Sequence, residues 1–312
     1  MGVLYGSVDP QVFANGQAVA TPFGTLTAPT TRVAAYVCSL GFQQGWSNDV
    51  QTNLVSTLSA ALKRCRDGYG DTIYVLPGHV ENVVDNSTSL TNLVSGIYII
   101  GIGTGTARPT FTWTNTAGSW LLNQPNVVLQ NLVFDMTGAA GVVKGIVVSA
   151  AENYILNCDF KVAKTTNYAA IPLELGTGSD RSVVAGCRFR GTVTTPTELI
   201  NIAGTPDMVM IRDNLFASTS TSGVILNVAA AATSLMITRN EMFQLTAGQY
   251  AVTLAAAASS GFLSHNNIYV VNTGTAASSG IQFGAGSVVQ TSQNYVTDEV
   301  QKSGVLAPAG AS

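Results

Sequence analysis

Charged residues make up only 10% of this 312-residue chain, against about 25% in an ordinary soluble domain. The formal net charge of −3 and the lack of any run of Lys and Arg argue against nucleic acid as a partner. No stretch approaches the roughly 18 uninterrupted apolar residues that a membrane-spanning helix needs, so no membrane partner is expected.

A surface with so few charges can bury against a neighbour at little desolvation cost. Ala, Thr, Ser, Gly and Asn fill the places that charged residues would hold. We therefore expect lateral self-association of the protein. A low-charge monomer kept soluble by Thr and Asn is the alternative.

Residues 1–46 carry Gly, Thr, Pro and Ala with scattered aromatic residues and show no sustained period. This composition predicts an extended N-terminal arm that packs on a partner or on the protein's own shaft. The first residues lack the basic flank and apolar core of a signal peptide, so we expect synthesis in a cytoplasm.

Residues 47–70 contain the one amphipathic helix that the sequence predicts. Asn48 or Asp49 can cap it, apolar residues from Val50 to Cys65 form one face, and Gly68 ends it. The helix directly precedes the first predicted strand, so we expect it to cap the open end of the structure that follows.

An aromatic residue then recurs about every 27 positions, which makes this a repeat protein. Residues that tolerate left-handed or tight-turn backbone stand three positions before each aromatic, and an apolar residue stands six before it. The aromatic positions are Phe134, Phe160, Phe189, Phe216, Phe243 and Tyr269. The asparagines among the turn positions are Asn131, Asn157, Asn240 and Asn266. The apolar positions are Val128, Tyr154, Val183, Met210, Ile237 and Leu263.

Midway through each repeat, apolar residues alternate with period two, as in Leu173 and Leu175 or Ile200 and Ile202. Short strands at a fixed period, separated by turn residues, are typical of a stacked solenoid. We predict an all-β parallel β-helix over residues 71–297 and a C-terminal tail over 298–312. Residues one period apart should lie above one another, about 4.8 Å apart.

The stacking brings acidic residues to one predicted edge. Asp180 and Asp207 lie nine residues before their aromatics, and Glu152 lies eight before its own. Two carboxylates about 5 to 10 Å apart are what glycoside hydrolysis requires. Ordinary turn chemistry with nearby basic partners is the alternative, and we favour it because no aromatic cluster shares their phase.

A second set, four residues before the aromatic, holds Arg212, Arg239 and His265. It predicts an anionic sugar site, an intersubunit ion pair, or side chains splayed into water; we favour the last. Cys158 and Cys187 should stack on adjacent coils as reduced thiols. The sequence indicates no metal site and no cofactor.

The helix followed by Gly70-Asp71-Thr72-Ile73-Tyr74-Val75-Leu76-Pro77-Gly78, and the Asn-x-x-Phe coils, resemble the pectate-lyase-like β-helix proteins of tailed bacteriophage virions. The resemblance covers about residues 48–296. It implies a right-handed solenoid, commonly trimeric, on a virus particle. The acidic, Lys and Arg clusters of pectate lyases are not matched at any position, so we expect no enzymatic activity.

These observations together predict a structural virion protein. It would decorate or cement the phage head by binding the major capsid protein, assemble as a homotrimer, and be located in the virion after synthesis in the host cytoplasm. The alternative is a tail spike or fibre that binds or cleaves host polysaccharide. For that alternative alone, the catalytic candidates are Glu152, Asp180 and Asp207.

Overall fold

The computed structural model confirms an all-β parallel β-helix. It describes residues 32–41, 47–85, 91–92, 94–164, 166–191, 196–218, 224–245, 249–254, 259–271, 280–284, 286–298 and 304–305. Most of the predicted arm and most of the predicted tail lie outside these residues. Residues 33–37 of the predicted arm are nevertheless built into the first sheet.

Three stacks of strands form the faces of the helix, and one pass through all three is called a coil below. Sheet A has 11 strands among the described residues, all paired in parallel, and they stack in sequence order except that the first strand lies between the second and the third. In order of sequence they are β1 (Val33–Val37), β2 (Leu54–Val55), β3 (Thr72–Val75), β6 (Tyr98–Gly101), β9 (Val128–Gln130), β12 (Tyr154–Leu156), β15 (Val183–Ala185), β18 (Met210–Arg212), β21 (Leu235–Thr238), β24 (Ser260–Ser264) and β27 (Val288–Ser292).

From residue 128 onward, two residues separate each strand of sheet A from the following strand of sheet B. Sheet C follows sheet B after a longer loop, except where residues 159–164 and 167–175 form a hairpin. Sheet B consists of β4 (Val80–Val83), β7 (Thr110–Trp113), β10 (Val133–Asp135), β13 (Asp159–Lys164), β16 (Arg188–Gly191), β19 (Leu215–Ser218), β22 (Glu241–Gln244), β25 (Asn267–Val270) and β28 (Tyr295–Asp298). Sheet C consists of β5 (Thr91–Asn92), β8 (Trp120–Leu122), β11 (Val142–Val148), β14 (Asn167–Leu175), β17 (Glu198–Ile202), β20 (Val224–Val228), β23 (Val252–Leu254) and β26 (Ile281–Phe283).

Among the strands that the structure describes, two antiparallel pairings depart from this parallel pattern. β13 and β14 form a hairpin that extends beyond the coil, with Ala163 opposite Tyr168. A last short strand, β29 (Gly304–Val305), runs antiparallel to β28. It lies in the predicted tail, so this part of the tail belongs to the shaft.

The core lies inside the three sheets because alternate side chains of every strand point inward. The period-two pattern of sheet C is confirmed: Leu173, Leu175, Ile200 and Ile202 are fully buried and stack in register. In sheet B, inward rings stack from coil to coil. Phe160 lies 4.2 Å from Phe189 between ring centroids, and Phe189 lies 5.0 Å from Phe216.

The aromatic repeat changes phase after Phe216. Phe216 pairs with Met242, 26 residues later, and Ala217 pairs with Phe243. The aromatic that the sequence predicts for the core therefore falls one residue late. Phe243 is 40% exposed, and it lies on the outer face 6.3 Å from the ring of its pairing partner Tyr269. The structure thus removes Phe243 and Tyr269 from the predicted core stack.

The same shift of one residue affects the turn between sheets A and B. Asn131 and Asn157 hold the left-handed position with φ of 57° and 53°, but in later coils Arg239 and His265 hold it, with φ of 54° and 56°. Asn240 and Asn266 are the next residues and are buried.

The structure also corrects the predicted apolar position six residues before each aromatic. Its first four members lie on the outer face of sheet A, and the inward residues beside them are Leu129, Ile155, Val184 and Ile211.

Buried asparagines form a ladder at this corner. The Oδ1 atom of Asn240 accepts the backbone N–H and the side-chain amide of Asn214, at 3.1 and 3.0 Å. Asn266 serves Asn240 in the same way, and Asn294 serves Asn266. Each side chain therefore satisfies a buried backbone donor of the coil before it. In the coil before Asn214 the inward position holds Cys187, whose N–H donates to Asn214 Oδ1 at 2.8 Å.

Two short helices replace the single capping helix that the sequence predicts. They are α1 (Asn48–Asn53) and α2 (Leu58–Leu62), separated by β2, which pairs with β1. Leu58 and Leu62 of α2 join the main core and close its end, whereas Val50 of α1 joins a separate cluster outside sheet A, with Tyr36 and Tyr74 among its members. A single helix across residues 48–68 could pack against only one of these two clusters.

Two polar groups hold this cap to the first coil. The buried His79 accepts the N–H of Ser39 at Nδ1, at 3.0 Å, so its proton is assigned to Nε2, which lies 3.1 Å from Glu81 Oε2. The same carboxylate oxygen accepts the N–H of Leu58, the first residue of α2, at 2.8 Å. One His–Glu pair thus connects the segment after β1, the helix α2 and the strand β4.

Asp71 is the second polar group that holds the cap to the first coil. Its side chain is 0% exposed, and it makes ion pairs of 2.9 Å with both Arg32 and Arg66. Burial raises the pKa of Asp71, but the hydrogen bonds from Arg66 and Arg32 outweigh burial and lower the pKa to about 2. The carboxylate therefore favours the folded state above the unfolded pKa of about 3.9.

We expect this contribution, up to about 2 kcal/mol, to be lost as the pH falls from about 4 to about 2. Acid unfolding followed by circular dichroism measures it. The Asp71→Asn variant should be less stable than wild type at pH 7 and should lose less stability over that acid interval. Equal losses in the two proteins would show that Asp71 does not contribute to acid unfolding.

Candidate functional sites on the shaft

The acidic residues predicted at one edge lie at the turn between sheets C and A. Glu152 has left-handed backbone, stacks under Arg181, and accepts a hydrogen bond of 2.8 Å from the Nε atom of that arginine. Asp180 accepts the backbone N–H of Asp207 at 2.9 Å, and Asp207 accepts the hydroxyl of Thr233 at 2.8 Å. The hydrogen bonds from Thr233 and Ser234 lower the pKa of Asp207. All three carboxylates are thus engaged in turn and ion-pair contacts.

The predicted basic set does not form one ladder. Arg212 pairs with Thr238 in the neighbouring strand, whereas Arg239 and His265 lie one position later, at the left-handed turn. Asp213 lies between the arginines, 2.7 Å from Arg239 and 3.0 Å from Arg212. The bonds from Arg239 lower the pKa of Asp213, against the opposing effect of its burial. Asp213 therefore compensates the charge of both arginines from within the chain.

A shallow cleft opens beside this corner, lined by Arg188, Asp213, Asn214, Leu215, Arg239 and Glu241 among others. Its charged groups include both signs, and Arg239 already binds Asp213 through two hydrogen bonds. The arrangement resembles a solvated ion-pair network more than a site held open for an anion.

Sheet A carries an apolar stripe on its outer face, and four of its members, Val128, Tyr154, Val183 and Met210, belong to the apolar position predicted from the repeat. Its side chains lie in register on consecutive strands and are called the sheet A stripe below. They are Tyr98, Val128, Tyr154, Val183, Met210, Met236 and Phe262. Phe262 is 51% exposed and Met236 40%. Charged residues such as Arg181 and Glu152 flank the stripe at the adjoining turn. Apolar patches with polar rims mark interaction surfaces.

A polar cluster on the outer face of sheet C was not predicted from the sequence. Glu174, Asn201 and Asn227 are in register on three consecutive strands, each between two inward-facing apolar residues. Glu174 makes an ion pair of 2.8 Å with Lys144, and Glu198 lies near enough to feel its charge. Each of these pairs of apolar residues encloses one polar residue, and the polar residue recurs at the coil spacing. This pattern in the sequence could have identified the cluster.

The described part of the chain contains no group of three or more His, Cys, Asp and Glu side chains able to hold a metal ion. Among those same residues, no helix has the length and apolar character needed to span a membrane. Cys158 and Cys187 are buried free thiols, and burial raises the pKa of Cys187 well above its usual range.

No protein-family model and no curated protein sequence matches this chain. A solved structure, the crystal structure of pectate lyase Pel9A, is similar over 85% of this chain and 78% of its own, with 14% identity and a TM-score of 0.45. The two proteins have a parallel β-helix in common, and at this identity the likeness concerns the fold alone. The similar protein is an enzyme, and this finding overturns our expectation that the chain has no enzymatic activity.

Proposed function

We propose that this protein is a structural component of a bacteriophage particle, a decoration or cement protein that binds the major capsid protein and assembles as a homotrimer. The observation that carries the proposal is the sheet A stripe. Met236 and Phe262, at one end of the stripe, are 40% and 51% exposed, and Tyr98, Tyr154, Val183 and Met210 are half-buried. A soluble shaft gains nothing from these exposed apolar surfaces, whereas a shaft that packs against neighbours buries them. The phage β-helix resemblance of the sequence supports the same role.

The length of the stripe suits lateral contact. Its residues are spaced by one strand, about 4.8 Å, so from Tyr98 to Phe262 it runs for roughly 30 Å along the shaft. The chain's low charge means that little desolvation opposes burial of the surface around it. Three copies with their stripes inward would cover this face in every copy, because rotation about one axis presents the same face each time.

The test of the particle assignment is the copy number of this chain relative to the major shell protein in particles purified from its source. A ratio of the same order supports a decoration role. A ratio far below it favours a tail spike or fibre, and absence of the chain from particles contradicts the virion proposal.

The stripe itself makes a separate prediction. We expect the wild-type protein to have about three times the 32.3 kDa mass of one chain in light scattering, and the Met236→Glu/Phe262→Glu variant to have the mass of one chain. Both substituted side chains are already half exposed, so the variant should keep its strand content.

The matched control is Phe243→Glu, because Phe243 is 40% exposed on the outer face of sheet B rather than sheet A. It should leave the assembly intact. A variant of the stripe that assembles like wild type, or a control that dissociates equally, would remove sheet A from the interface.

The cluster on sheet C favours a second candidate function, the binding or cleavage of host polysaccharide. Glu174, Asn201, Asn227 and Thr253 form a row of polar side chains along the shaft, in register at one per coil. Glu174 and Asn201 are only 7% and 8% exposed, so the half-buried Asn227 and Thr253 are the members of the row that a linear chain of sugars can contact. This candidate uses other residues than the acidic edge of Glu152, Asp180 and Asp207.

A further inference from the structure

Cys158 and Cys187 are held side by side at the corner between sheets A and B. Asp159 pairs with Arg188 in the register of the strands, and the N–H of Arg188 donates to Cys158 O at 2.9 Å. The cysteines directly precede this pair on consecutive coils, so their Cα atoms are neighbours at the strand spacing of about 4.8 Å. That spacing falls within the range of about 4.4 to 6.8 Å that disulfide bonds span.

The two sulfur atoms approach the same strand. Cys158 Sγ lies 3.3 Å from Leu156 O, and Cys187 Sγ lies 3.4 Å from Ile155 O, so both thiols contact β12. The thiol groups are also hydrogen-bond partners of each other. Both side chains are 1% exposed and both thiols are free. Since the Cα spacing already suits a disulfide bond, side-chain rotation can bring the sulfurs together without a change in strand pairing.

The two cysteines occupy the inward corner position that asparagines hold in later coils. There Asn240 donates two hydrogen bonds to Asn266 of the next coil, at 3.0 and 2.9 Å. A thiol offers only one weak donor, so Cys158 and Cys187 cannot reproduce this link while they are reduced. A covalent bond between their sulfurs would join consecutive coils at the same corner.

We propose that Cys158 and Cys187 form a disulfide bond between consecutive coils when the protein folds in the presence of a disulfide oxidant such as oxidised glutathione. One thiolate attacks the oxidant, forms a mixed disulfide and releases one glutathione; the second thiolate then displaces the other glutathione. The cysteines together lose two electrons and two protons, and the two released glutathione molecules gain them. In a reducing cytoplasm the same pair stays reduced.

The bond would stabilise the shaft against unfolding. It closes the loop from Cys158 to Cys187 and so restricts the unfolded chain. Because both residues are 1% exposed, the bond is shielded from reductants once it has formed. We expect oxidation to lower the equilibrium constant of unfolding on the order of a hundredfold. The bond does not depend on whether the protein decorates a capsid.

The experiment compares the full-length protein made in an ordinary bacterial cytoplasm with the protein made in a strain whose glutathione pool is oxidised. Free thiols are blocked with N-ethylmaleimide during denaturation, and trypsin then releases Cys158 in peptide 145–161 and Cys187 in peptide 182–188. We expect the two peptides to be joined in the protein from the oxidising strain and separate after reduction. Separate peptides with blocked cysteines from that strain would overturn the inference.

Cys38 and Cys65 provide an internal control, because their separation along the chain is similar to that of Cys158 and Cys187. Cys38 belongs to the cluster outside sheet A, whereas Cys65 packs against the main core, so the fold does not pair them. The oxidised protein should contain no bond between them. A bond from Cys38 to Cys65 as frequent as the proposed one would show random oxidation and contradict the proposal.

Cys187→Ser tests the effect on stability. Serine is similar in size to cysteine and cannot form the bond. Denaturant unfolding without reductant should give a higher midpoint for wild type from the oxidising strain than from the ordinary strain, and equal midpoints for the variant. The Cys38→Ser/Cys65→Ser variant keeps the pair and should retain the difference. Equal midpoints for the two wild-type preparations would contradict a stabilising bond.

Discussion

Replacing Phe216 by alanine lowers the free energy of unfolding by about 3 to 5 kcal/mol, as is usual for a fully buried phenylalanine. Phe216 is fully buried, lies 5.0 Å from the ring of Phe189, and has Met242 of the next coil on its other side. Neighbouring coils are held at the strand spacing by backbone hydrogen bonds, so they cannot collapse into the space that the ring leaves. Denaturant unfolding measures the loss.

Phe243→Ala is the matched control for this variant. The sequence repeat places Phe243 in the same stack as Phe216, but the structure puts it outside, 40% exposed. Its replacement should cost less than about 1 kcal/mol. Similar losses at the two positions would mean that the repeat keeps its phase through Phe243 and that the register of β22 is different.

Replacing Asn266 by alanine is expected to cost about 3 kcal/mol or more, because several buried groups lose their partners at once. The Oδ1 atom of Asn266 accepts two hydrogen bonds from Asn240, and its amide donates to Ile237 O at 2.9 Å and to Asn294 at 2.9 Å. Neither water nor a neighbouring side chain can reach this corner without opening the stack, since Asn266 is 0% exposed.

The adjacent Asn267 provides the control, because its side chain is on the exposed outer side of β25. Asn267→Ala should change the free energy of unfolding by no more than about 0.5 kcal/mol. Thermal unfolding of both variants beside wild type makes the comparison. If Asn266→Ala were as stable as Asn267→Ala, the ladder would be a consequence of the fold and not a source of its stability.

The architecture was predictable because it rests on period alone. Alternation in residues such as Leu173 and Leu175 identifies strands, and the return of Phe134, Phe160 and Phe189 identifies stacked coils. The phase beyond Phe216 was not predictable in this way. A coil of 26 residues and one of 27 differ by one position, and in a strand one position exchanges the inner and outer faces.

The candidate sites were harder to predict for the same reason. The sheet A stripe is apolar, so Val128 and Met210 look like core residues until the register shows that Leu129 and Ile211 fill the core. The cap was misjudged because Leu54 continues a helical pattern, yet its strand pairing with Tyr36 outweighs the helical preference.

The asparagine ladder also bears on how such a shaft changes length during evolution. Asn214, Asn240 and Asn266 each donate two hydrogen bonds to the asparagine of the coil after, and Asn240 and Asn266 accept the same two bonds from the coil before. Excision of residues 214–239 would bring Asn240 beneath the N–H of Cys187, where Asn214 now binds. Duplication of one such coil would create no new type of contact at this corner. The corner is therefore indifferent to the number of coils, and gene duplication or deletion in whole repeats can lengthen or shorten the shaft without redesigning it.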